Sequence, residues 1–216
     1  MDRTGPLTGL LGGSFNPAHG GHRRISLFAI RALGLAELWW LVSPGNPLKD
    51  PSAMAPLAAR VASARAQAGR APIRVTAIER QLGTRFTCDT VRALLARFPR
   101  RRFIWLMGSD NLAQLHRWKQ WRALAAAIPI AVVARPGYDG RALASPAMAW
   151  LGRHRRRSAA LNDPAKWSAP ALILLRFDPD PRSATAIRTA DPHWHCRFGA
   201  HSRDAVTRRP IRADRA

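Results

Sequence analysis

The stretch LTGLLGGSFNPAHGGHRRISLFAIRAL, from Leu7 to Leu33, indicates how this chain folds. Leu7 to Gly12 is an apolar run typical of a buried strand. Gly20 to Leu33 has the apolar spacing of an amphipathic helix, and Gly34 is a typical helix stop. The segment between them, Gly12 to His22, is rich in glycine and predicts a tight strand–loop–helix connection. The stretch is therefore predicted to be the first half of a βαβ unit.

The same alternation of strands and helices continues along the chain. Predicted strands cover residues 37–43, 73–78, 102–107, 128–134 and 171–177, and predicted helices cover 56–68, 87–98 and a stretch that ends at 127. Thr87 is the expected N-cap of the helix at 87–98. Strands that alternate with such helices are typical of right-handed crossovers around a parallel sheet. We therefore predict an α/β fold, a doubly wound, Rossmann-like parallel sheet with helices on both faces. Ligands bind such sheets beyond the carboxyl ends of the strands, where the strand order reverses.

Composition excludes several classes of protein. Hydrophobic residues make up 47% of the 216 residues and charged residues 22%, which is ordinary for a globular protein and excludes a disordered, collagen-like or coiled-coil chain. Cys88 and Cys196 lie far apart and outside any CxxC pair, which argues against a disulfide framework and favours a reducing cytoplasm. The longest apolar stretch, Ala123 to Ala134, is too short to span a bilayer. We therefore predict a cytoplasmic protein with no membrane partner.

The formal net charge of +22 at pH 7 is the unusual feature of the composition. Of the 35 basic residues, all but Lys49, Lys119 and Lys166 are arginine. A diffuse positive field favours anionic ligands without distinguishing nucleotides from nucleic acid. A basic nucleic-acid-binding protein therefore remains an alternative. We expect no specific nucleic-acid partner, because the chain has no RNP1, KH, zinc-finger or basic-helix signature.

The segment Gly12 to His22 carries the strongest functional signal. It contains neither the P-loop pattern GxxxxGK[ST] nor the dinucleotide pattern GxGxxG. Gly12 and Gly13 lack side chains, so a ligand can approach the backbone closely, and the start of the following helix suits a phosphate. His19 and His22, spaced i and i+3, would face the same way and donate hydrogen bonds to a phosphoryl transition state. A metal-binding pair is the alternative, weakened because no third ligand lies nearby.

Several motifs together resemble one enzyme family. GGSFNPAHGGH is similar to the GxFxPxHxGH signature of the nucleotidylyltransferase superfamily, and in particular of the bacterial nicotinate-nucleotide adenylyltransferases. RSATAIR, from Arg182 to Arg188, resembles the S-[SA]-T-x-[IL]-R motif of that family. Further similar elements are PGNPLK (44–49), RFTCDT (85–90), GSD (108–110), Trp118 and RPGY (135–138). The resemblance covers roughly residues 7–188.

The resemblance implies a reaction. Enzymes of this family transfer AMP from ATP to nicotinate mononucleotide, which produces deamido-NAD and pyrophosphate in NAD synthesis. The nucleophile is a phosphate oxygen that is already ionised, so catalysis would consist of positioning and charge stabilisation without a general base. Mg²⁺ would be held mainly by substrate phosphates and water. The alternative is a related enzyme that uses nicotinamide mononucleotide or another phosphate acceptor.

The resemblance also implies roles for individual residues. Catalytic residues would be His19, His22, Lys49 and Arg188, with His22 the first candidate for contact with the transition state. ATP would be bound by Gly12, Gly13, Ser14, Phe15, Gly108, Asp110, Ser183 and Thr185, and nicotinate mononucleotide by Thr87, Trp118 and Arg135. Asp110 could instead be a helix N-cap, and Trp118 could be a core residue at helical spacing from Trp121.

The last residues depart from the family pattern. We divide the chain into a nucleotidylyltransferase domain at residues 1–188 and a basic tail at residues 189–216. Family members usually continue into an apolar helix, whereas this tail shows no hydrophobic periodicity, so we expect it to be largely disordered. His193, His195 and Cys196 resemble a metal-binding tract only weakly. The oligomeric state is left open, with a homo-oligomer among the options.

Overall fold

The central element of the fold is a parallel sheet of six strands. The computed structural model describes residues 5–45, 54–133, 139–157, 168–177, 182–199 and 202–211. The strands of the sheet are β1 (Leu7–Gly13), β2 (Glu37–Val42), β3 (Ile73–Thr76), β4 (Arg102–Gly108), β5 (Ile130–Val133) and β6 (Leu172–Leu175). The helices in these ranges are α1 (Gly20–Leu33), α2 (Leu57–Ala68), α3 (Ile78–Leu82), α4 (Thr87–Arg97), α5 (Ser109–Gln114), α6 (Trp121–Ala127), α7 (Asp139–Leu143), α8 (Pro146–Leu151) and α9 (Ala184–Ala190).

The sheet has the strand order β3-β2-β1-β4-β5-β6, and each neighbouring pair is parallel. Two hydrophobic cores lie on its two faces. Trp39 and Trp40, adjacent on β2 and at most 1% exposed, point to opposite faces: Trp40 lies in the core that contains α1 and α2, and Trp39 in the core that contains α4. The predicted doubly wound α/β fold is therefore confirmed.

The strand order reverses between β1 and β4. From β1 the chain crosses to β2 and then β3, returns to the centre, and continues outward through β4, β5 and β6. The carboxyl ends of β1 and β4, at Gly13 and Gly108, therefore stand side by side at the topological switch point. This is the position at which open α/β sheets bind their ligands.

Local structure differs from the predictions at two places that bear on the site. The helical stretch predicted to reach residue 127 is divided into α5, a 3-10 turn at Leu115–Arg117 and α6. Gln120 interrupts it with a left-handed backbone, φ +48°. The N-cap of α4 is Phe86, without a side-chain capping bond, and Thr87 is the first helical residue rather than the cap. The short helices α3, α7 and α8 lie below the length at which hydrophobic periodicity is visible.

The tail differs most from its prediction. Residues 189–199 and 202–211 contain the end of α9, a 3-10 turn at Trp194–Arg197, and two short antiparallel strands, β7 (Ser202–Arg203) and β8 (Pro210–Ile211). Trp194 is 2% exposed and belongs to the 3-10 turn, which packs against α2. The buried carboxylate of Asp204 accepts hydrogen bonds at the end of β3. The structure thus gives these residues secondary structure and buried side chains, where the sequence alone led us to expect disorder. Single buried anchors hold them, and such anchors leave no periodic signal.

The described helices and the two cysteines agree with the composition of the chain. None of the helices in the described ranges combines the length and the apolar composition that a membrane span requires. Both cysteines are free, with Cys88 buried in α4 and Cys196 exposed in the 3-10 turn of the tail. Burial raises the pKa of the Cys88 thiol.

Candidate active site

The loop between β1 and α1 is built around the ring of Phe15. Phe15 has a φ of +46°, in the left-handed region that non-glycine residues adopt only where their surroundings hold them. Its buried ring stacks on the Trp40 indole at a centroid distance of 5.0 Å and contacts the His22 imidazole at 4.9 Å. The Phe15 ring therefore packs between Trp40 and His22. Because this ring is buried, Phe15 can offer a ligand chiefly its backbone groups.

Gly12 and Gly13 have a packing role beside their predicted role toward a ligand. A Cβ atom on Gly12 would lie 2.7 Å from Cη2 of Trp105, which is closer than any side chain tolerates. A Cβ atom on Gly13 would lie 3.2 Å from the Phe15 ring. The absence of side chains thus lets two aromatic rings close on the end of β1.

His19 and His22 form a reciprocal cap at the start of α1. Nδ1 of His19 accepts a hydrogen bond from the Gly21 backbone N–H, and Nδ1 of His22 accepts one from the His19 backbone N–H, each at 3.2 Å. The ring centroids are 3.9 Å apart. Because a neutral imidazole with an accepting Nδ1 carries its proton on Nε2, both rings offer an Nε2–H donor. The structure therefore brings the two imidazoles together at this helix start, and their role as donors to a phosphate stays a prediction.

A buried chain of hydrogen bonds fixes the backbone of His22. The Trp40 indole N–H donates to Oγ of Ser26 at 2.8 Å, and the Ser26 hydroxyl donates to the carbonyl oxygen of His22 at 2.7 Å. Ser26 is fully buried. The position of His22 is thus set by the core of the sheet rather than by the exposed part of the loop.

The second motif of the sequence docks on this loop. Arg188, in α9, donates from Nη1 to the carbonyl oxygen of Asn16 at 2.6 Å and from Nη2 to Oγ1 of Thr185 at 3.2 Å. Ser183 is the N-cap of α9, where its hydroxyl accepts the Ala186 N–H. The structure therefore brings the C-terminal motif and the two-histidine loop together.

Asp110 lies on the other side of the switch point. The N-cap position of α5 is Gly108, and Asp110 is the second residue of that helix, so the alternative interpretation of Asp110 as an N-cap is wrong. Ser109 beside it is 2% exposed. Because β4 pairs directly with β1, the start of α5 and the loop after β1 flank the same position.

Trp118 is linked to the end of β1 through the ring of Trp105. It is half-buried and extended, between the 3-10 turn and α6, so it does not share a helix with the buried Trp121. Its indole packs edge-to-face on Trp105 at a centroid distance of 6.5 Å. Since Trp105 also closes on Gly12, these contacts run from the first loop to Trp118.

The first turn of α4 lies beside Trp118. Lys119 donates to Oδ2 of Asp89 at 3.0 Å, and its ammonium lies 4.8 Å from the centroid of the Phe86 ring. The hydrogen bond from Lys119 is the main cause that lowers the pKa of the Asp89 carboxyl. Thr87, between Phe86 and Asp89 in the chain, therefore lies in the turn that is contacted by Lys119, the next residue after Trp118.

Lys49 and Arg135, which the sequence also predicted for the site, lie outside the residues that the structure describes. Their proposed roles remain predictions from motif position.

Comparison with known proteins agrees with this geometry. A family model described as cytidylyltransferase-like matches residues 10–190. The chain belongs to the cytidylyltransferase-like family. The matched range takes in the two-histidine loop, the start of α5 and the Arg188 motif, so the residues assembled above all fall inside the family domain.

Individual relatives are similar over most of their length. The chain is 66% identical over 209 residues to a protein from Erythrobacter litoralis named "probable nicotinate-nucleotide adenylyltransferase", with 96% of this chain and 95% of the relative covered. A Bradyrhizobium protein of the same name is 48% identical over 186 residues, with 86% and 97% covered. Because the first match takes in 96% of this chain, it extends through most of the segment after Arg188.

Among solved structures, the Plasmodium falciparum nicotinic acid mononucleotide adenylyltransferase complexed with NaAD has a similar fold. The TM-score is 0.59 at 14% sequence identity, and the match covers 86% of this chain and 83% of that chain. At this identity the similarity concerns the fold alone.

Arg60 is a residue of the family domain that the motifs did not indicate. Its guanidinium is 1% exposed and donates to four backbone carbonyl oxygens. The acceptors are the carbonyls of Ala55 at 2.8 Å, Ser14 at 2.9 Å, Ser43 at 2.6 Å and Pro44 at 3.2 Å. One side chain thus joins the loop after β1, the loop after β2 and the start of α2. A signal existed, because Arg60 interrupts an otherwise apolar face between Leu57 and Val61.

Glu79 is a second residue that sequence reasoning missed. It lies in α3 with 8% of its surface exposed, and Oε1 accepts a hydrogen bond from Oγ1 of Thr90 at 3.2 Å. Burial raises the pKa of the Glu79 carboxyl to about 7, against a smaller opposite effect of the Thr90 hydrogen bond. Since Thr90 is in the first turns of α4, the charge of Glu79 is coupled to the helix that begins at Thr87.

Proposed function

We propose that this protein transfers the AMP group of ATP to nicotinate mononucleotide, which produces deamido-NAD and pyrophosphate. The observation that carries the proposal is the hydrogen bond between Arg188 and the backbone of Asn16, because it joins the two motifs that would hold the triphosphate. The names of relatives at 66% and 48% identity support the same activity. The strand order supports it too, since the crevice at the switch point suits a nucleotide.

The triphosphate would bind across the start of α1. The Nε2–H groups of His19 and His22 would donate to phosphate oxygens, and the fourteen-residue helix contributes its first-turn N–H groups and a partial positive charge. Arg188 would hold the departing pyrophosphate with its guanidinium. Ser183 and Thr185 would assist it, and Lys49 would add charge near the reacting phosphates. Gly12 and Gly13, with Ser14 and Phe15, would supply backbone groups to the nucleotide, and Asp110, after Gly108, would accept its ribose hydroxyls.

The acceptor would bind beside Trp118. Its pyridine ring would stack on the indole, which Trp105 holds from the side. The nicotinate carboxylate would accept a hydrogen bond from Thr87, where the first N–H groups of α4 have no intrahelical acceptor. Arg135 would add a positive charge near the carboxylate. The acceptor phosphate would then face the α-phosphorus of ATP for in-line attack, with charge rather than proton transfer as the main requirement.

A divalent metal ion, for which we propose Mg²⁺, would accompany ATP. In the ranges that the structure describes, no group of three or more His, Cys, Asp or Glu side chains could hold a metal ion. The donors gathered at the crevice are chiefly imidazole and guanidinium N–H groups, which bind phosphate oxygens rather than hard cations. This donor set fits an ion carried in by the triphosphate, where it would neutralise phosphate charge.

The test is pyrophosphate release by the purified protein with ATP and Mg²⁺. Nicotinate mononucleotide and nicotinamide mononucleotide are supplied in parallel, and the dinucleotide product is identified by chromatography. We expect pyrophosphate and deamido-NAD in equal amounts, and faster turnover with the nicotinate substrate. The His22→Ala variant, purified in the same way, controls for a contaminating host enzyme. Preference for the nicotinamide substrate would select the related alternative, and no release with either substrate would refute the proposal.

Because the chain is strongly basic, a nucleic-acid-binding protein without enzymatic activity is the alternative function. Its binding to DNA or RNA would fall steeply with rising salt, because counterions are released from the phosphate backbone. The enzyme instead requires both substrates for any product. Binding measured with a DNA duplex at two salt concentrations, beside the pyrophosphate assay, separates the two.

A further inference from the structure

Gly20 makes room for an arginine from the other end of the chain. In the signature GxFxPxHxGH it stands at the variable position between His19 and Gly21. A Cβ atom on Gly20 would overlap with the guanidinium of Arg182. It would lie within 2.7 Å of Cζ and of both Nη atoms, which is closer than real Cβ contacts. The guanidinium therefore lies directly against the α-carbon of Gly20, in the first turn of α1.

We propose that Arg182 is a further ATP-binding residue, which donates hydrogen bonds to a phosphate of the triphosphate at the start of α1. The inference rests on the proposed function, and it adds a residue that the S-[SA]-T-x-[IL]-R motif does not include. Arg182 immediately precedes Ser183 and the α9 helix that carries Arg188. The contact with Gly20 thus places a second guanidinium of this segment beside the two-histidine loop.

The electrostatics of the helix start favour a bound anion at this place. The amino end of α1 carries a partial positive charge, and its first turn contains no acidic residue. Nε2–H groups of His19 and His22 stand beside it. A guanidinium against the same turn adds a further positive charge at the place where a triphosphate would lie. The planar fork of arginine also matches two phosphate oxygens at once.

The pair offers a selective test, because a substitution of Gly20 displaces the guanidinium while residue 182 itself remains arginine. The overlapping atoms belong to the far end of a flexible side chain, so the Gly20→Ala substitution moves the guanidinium aside and leaves the backbone in place. Gly20 has an ordinary helical position, and alanine favours the helix. The Gly20→Ala protein should therefore fold with unchanged thermal stability.

The experiment measures the dissociation constant of Mg·ATP by calorimetry and the KM for ATP in the pyrophosphate assay. The proteins are the wild type, Arg182→Ala, Gly20→Ala and the double variant. We expect Arg182→Ala to weaken ATP binding by about tenfold or more, as loss of a charge-assisted hydrogen bond does. Gly20→Ala should weaken it in the wild-type background only. The KM for nicotinate mononucleotide should change by less than about twofold, since the guanidinium lies on the triphosphate side.

A matched control separates contact from net charge. Arg153 is exposed and lies over the half-buried Trp150 ring in another part of the fold, and its substitution by alanine removes the same charge. Arg153→Ala should bind ATP as the wild type does, and Arg182→Lys should recover part of the lost affinity.

Three results would overturn the inference. They are wild-type ATP affinity in Arg182→Ala, an equal loss in Arg153→Ala, and additive losses from Gly20→Ala and Arg182→Ala in the double variant. In each of these cases the wild-type protein, measured in parallel, would still bind ATP and release pyrophosphate. Failure of the proposed function would instead appear as a wild type that releases no pyrophosphate, and a wild type that binds no ATP would refute both.

Discussion

Arg188 donates a hydrogen bond to the carbonyl oxygen of Asn16, 172 positions earlier in the chain, across 2.6 Å. The same guanidinium donates to Thr185 in its own helix. A single side chain thus closes the last family motif onto the first, beside the imidazoles of His19 and His22. The planar guanidinium of Arg188 has five N–H donors, so it can bind these two acceptors and still donate to a phosphate.

Arg188→Lys tests whether that geometry or only the charge matters. Lysine keeps the positive charge but cannot reach the Asn16 carbonyl, the Thr185 hydroxyl and a phosphate together. We expect kcat/KM for ATP to fall by at least about tenfold, as for the loss of a charge-assisted hydrogen bond, with a much smaller effect on the KM for nicotinate mononucleotide. Initial rates of pyrophosphate release measure both. A lysine variant with wild-type rates would reduce Arg188 to a source of charge.

His22→Ala removes the Nε2–H donor proposed to contact the reacting phosphates. Turnover should fall by about a hundredfold or more if this donor stabilises the transition state. His22→Gln, whose side-chain amide can place an N–H near the original Nε2, should lose less. Single-turnover measurements at saturating ATP compare the two. A loss below tenfold in the alanine variant would assign His22 to ground-state binding.

Most of the fold could be predicted because its strands are apolar runs. Strands of a parallel sheet are buried on both faces, so β2 and β4 appear in the sequence as the continuous segments LWWLV and FIWLM. Helix α1 has the bounds that its periodicity and Gly34 predict, and Gly34 adopts a left-handed φ of +62°. The meeting of the two motifs was predicted by resemblance alone, since nothing in local sequence relates Arg188 to Asn16.

Other features depend on tertiary contacts that no periodic pattern records. The contact between Arg182 and Gly20 joins two residues more than 160 positions apart. The tail is held by Trp194, Asp204 and Ile211, each an isolated buried residue in a polar, arginine-rich segment. The overall composition of the tail averages over such isolated buried residues, so composition alone predicts disorder there.

Arg60→Met tests the loop anchor. Methionine fills part of the volume but leaves the carbonyl oxygens of Ser14, Ser43 and Ala55 without their donor. We expect the free energy of unfolding to fall by about 3 kcal/mol, since several buried acceptors lose a hydrogen bond together. The KM for ATP should rise because the loop after β1 is less fixed. Urea denaturation and the pyrophosphate assay measure the two effects.

Arg65→Met is the matched control for this anchor. Arg65 lies one turn further along α2, where its exposed guanidinium donates to the carbonyl oxygen of Arg203. Its substitution should cost less than about 1 kcal/mol, as exposed polar contacts do. Equal losses in the two variants would contradict a special role for Arg60.

Glu79→Gln tests the buried carboxyl through the pH dependence of stability. The folded pKa of about 7 is above the value of 4.5 expected for the unfolded chain. The contribution of Glu79 to stability is therefore fully present below about pH 4.5 and is lost as the pH rises through about 7. Between pH 5 and pH 8 the wild type should lose about 2 to 3 kcal/mol more than Glu79→Gln. Urea denaturation at both pH values measures the difference, and equal losses in the two proteins would refute a raised pKa.

Asp204→Ala tests the docking of the tail on the sheet. The Asp204 carboxylate is 1% exposed and accepts hydrogen bonds from the Thr76 hydroxyl, the Ala77 N–H and the backbone N–H groups of Val206 and Thr207. Removing it leaves these donors without their acceptor, so we expect about 2 to 3 kcal/mol less stability.

The tail itself should be released first in this variant. Trypsin should cleave after Arg203 and Arg208 much faster in Asp204→Ala than in the wild type, and mass spectrometry of the fragments locates the cuts. Asp191→Ala, which removes an exposed ion pair with Arg197 in the same tail, is the control and should change little. Equally rapid cleavage after Arg203 in the wild-type protein would show that Asp204 does not hold the tail in solution.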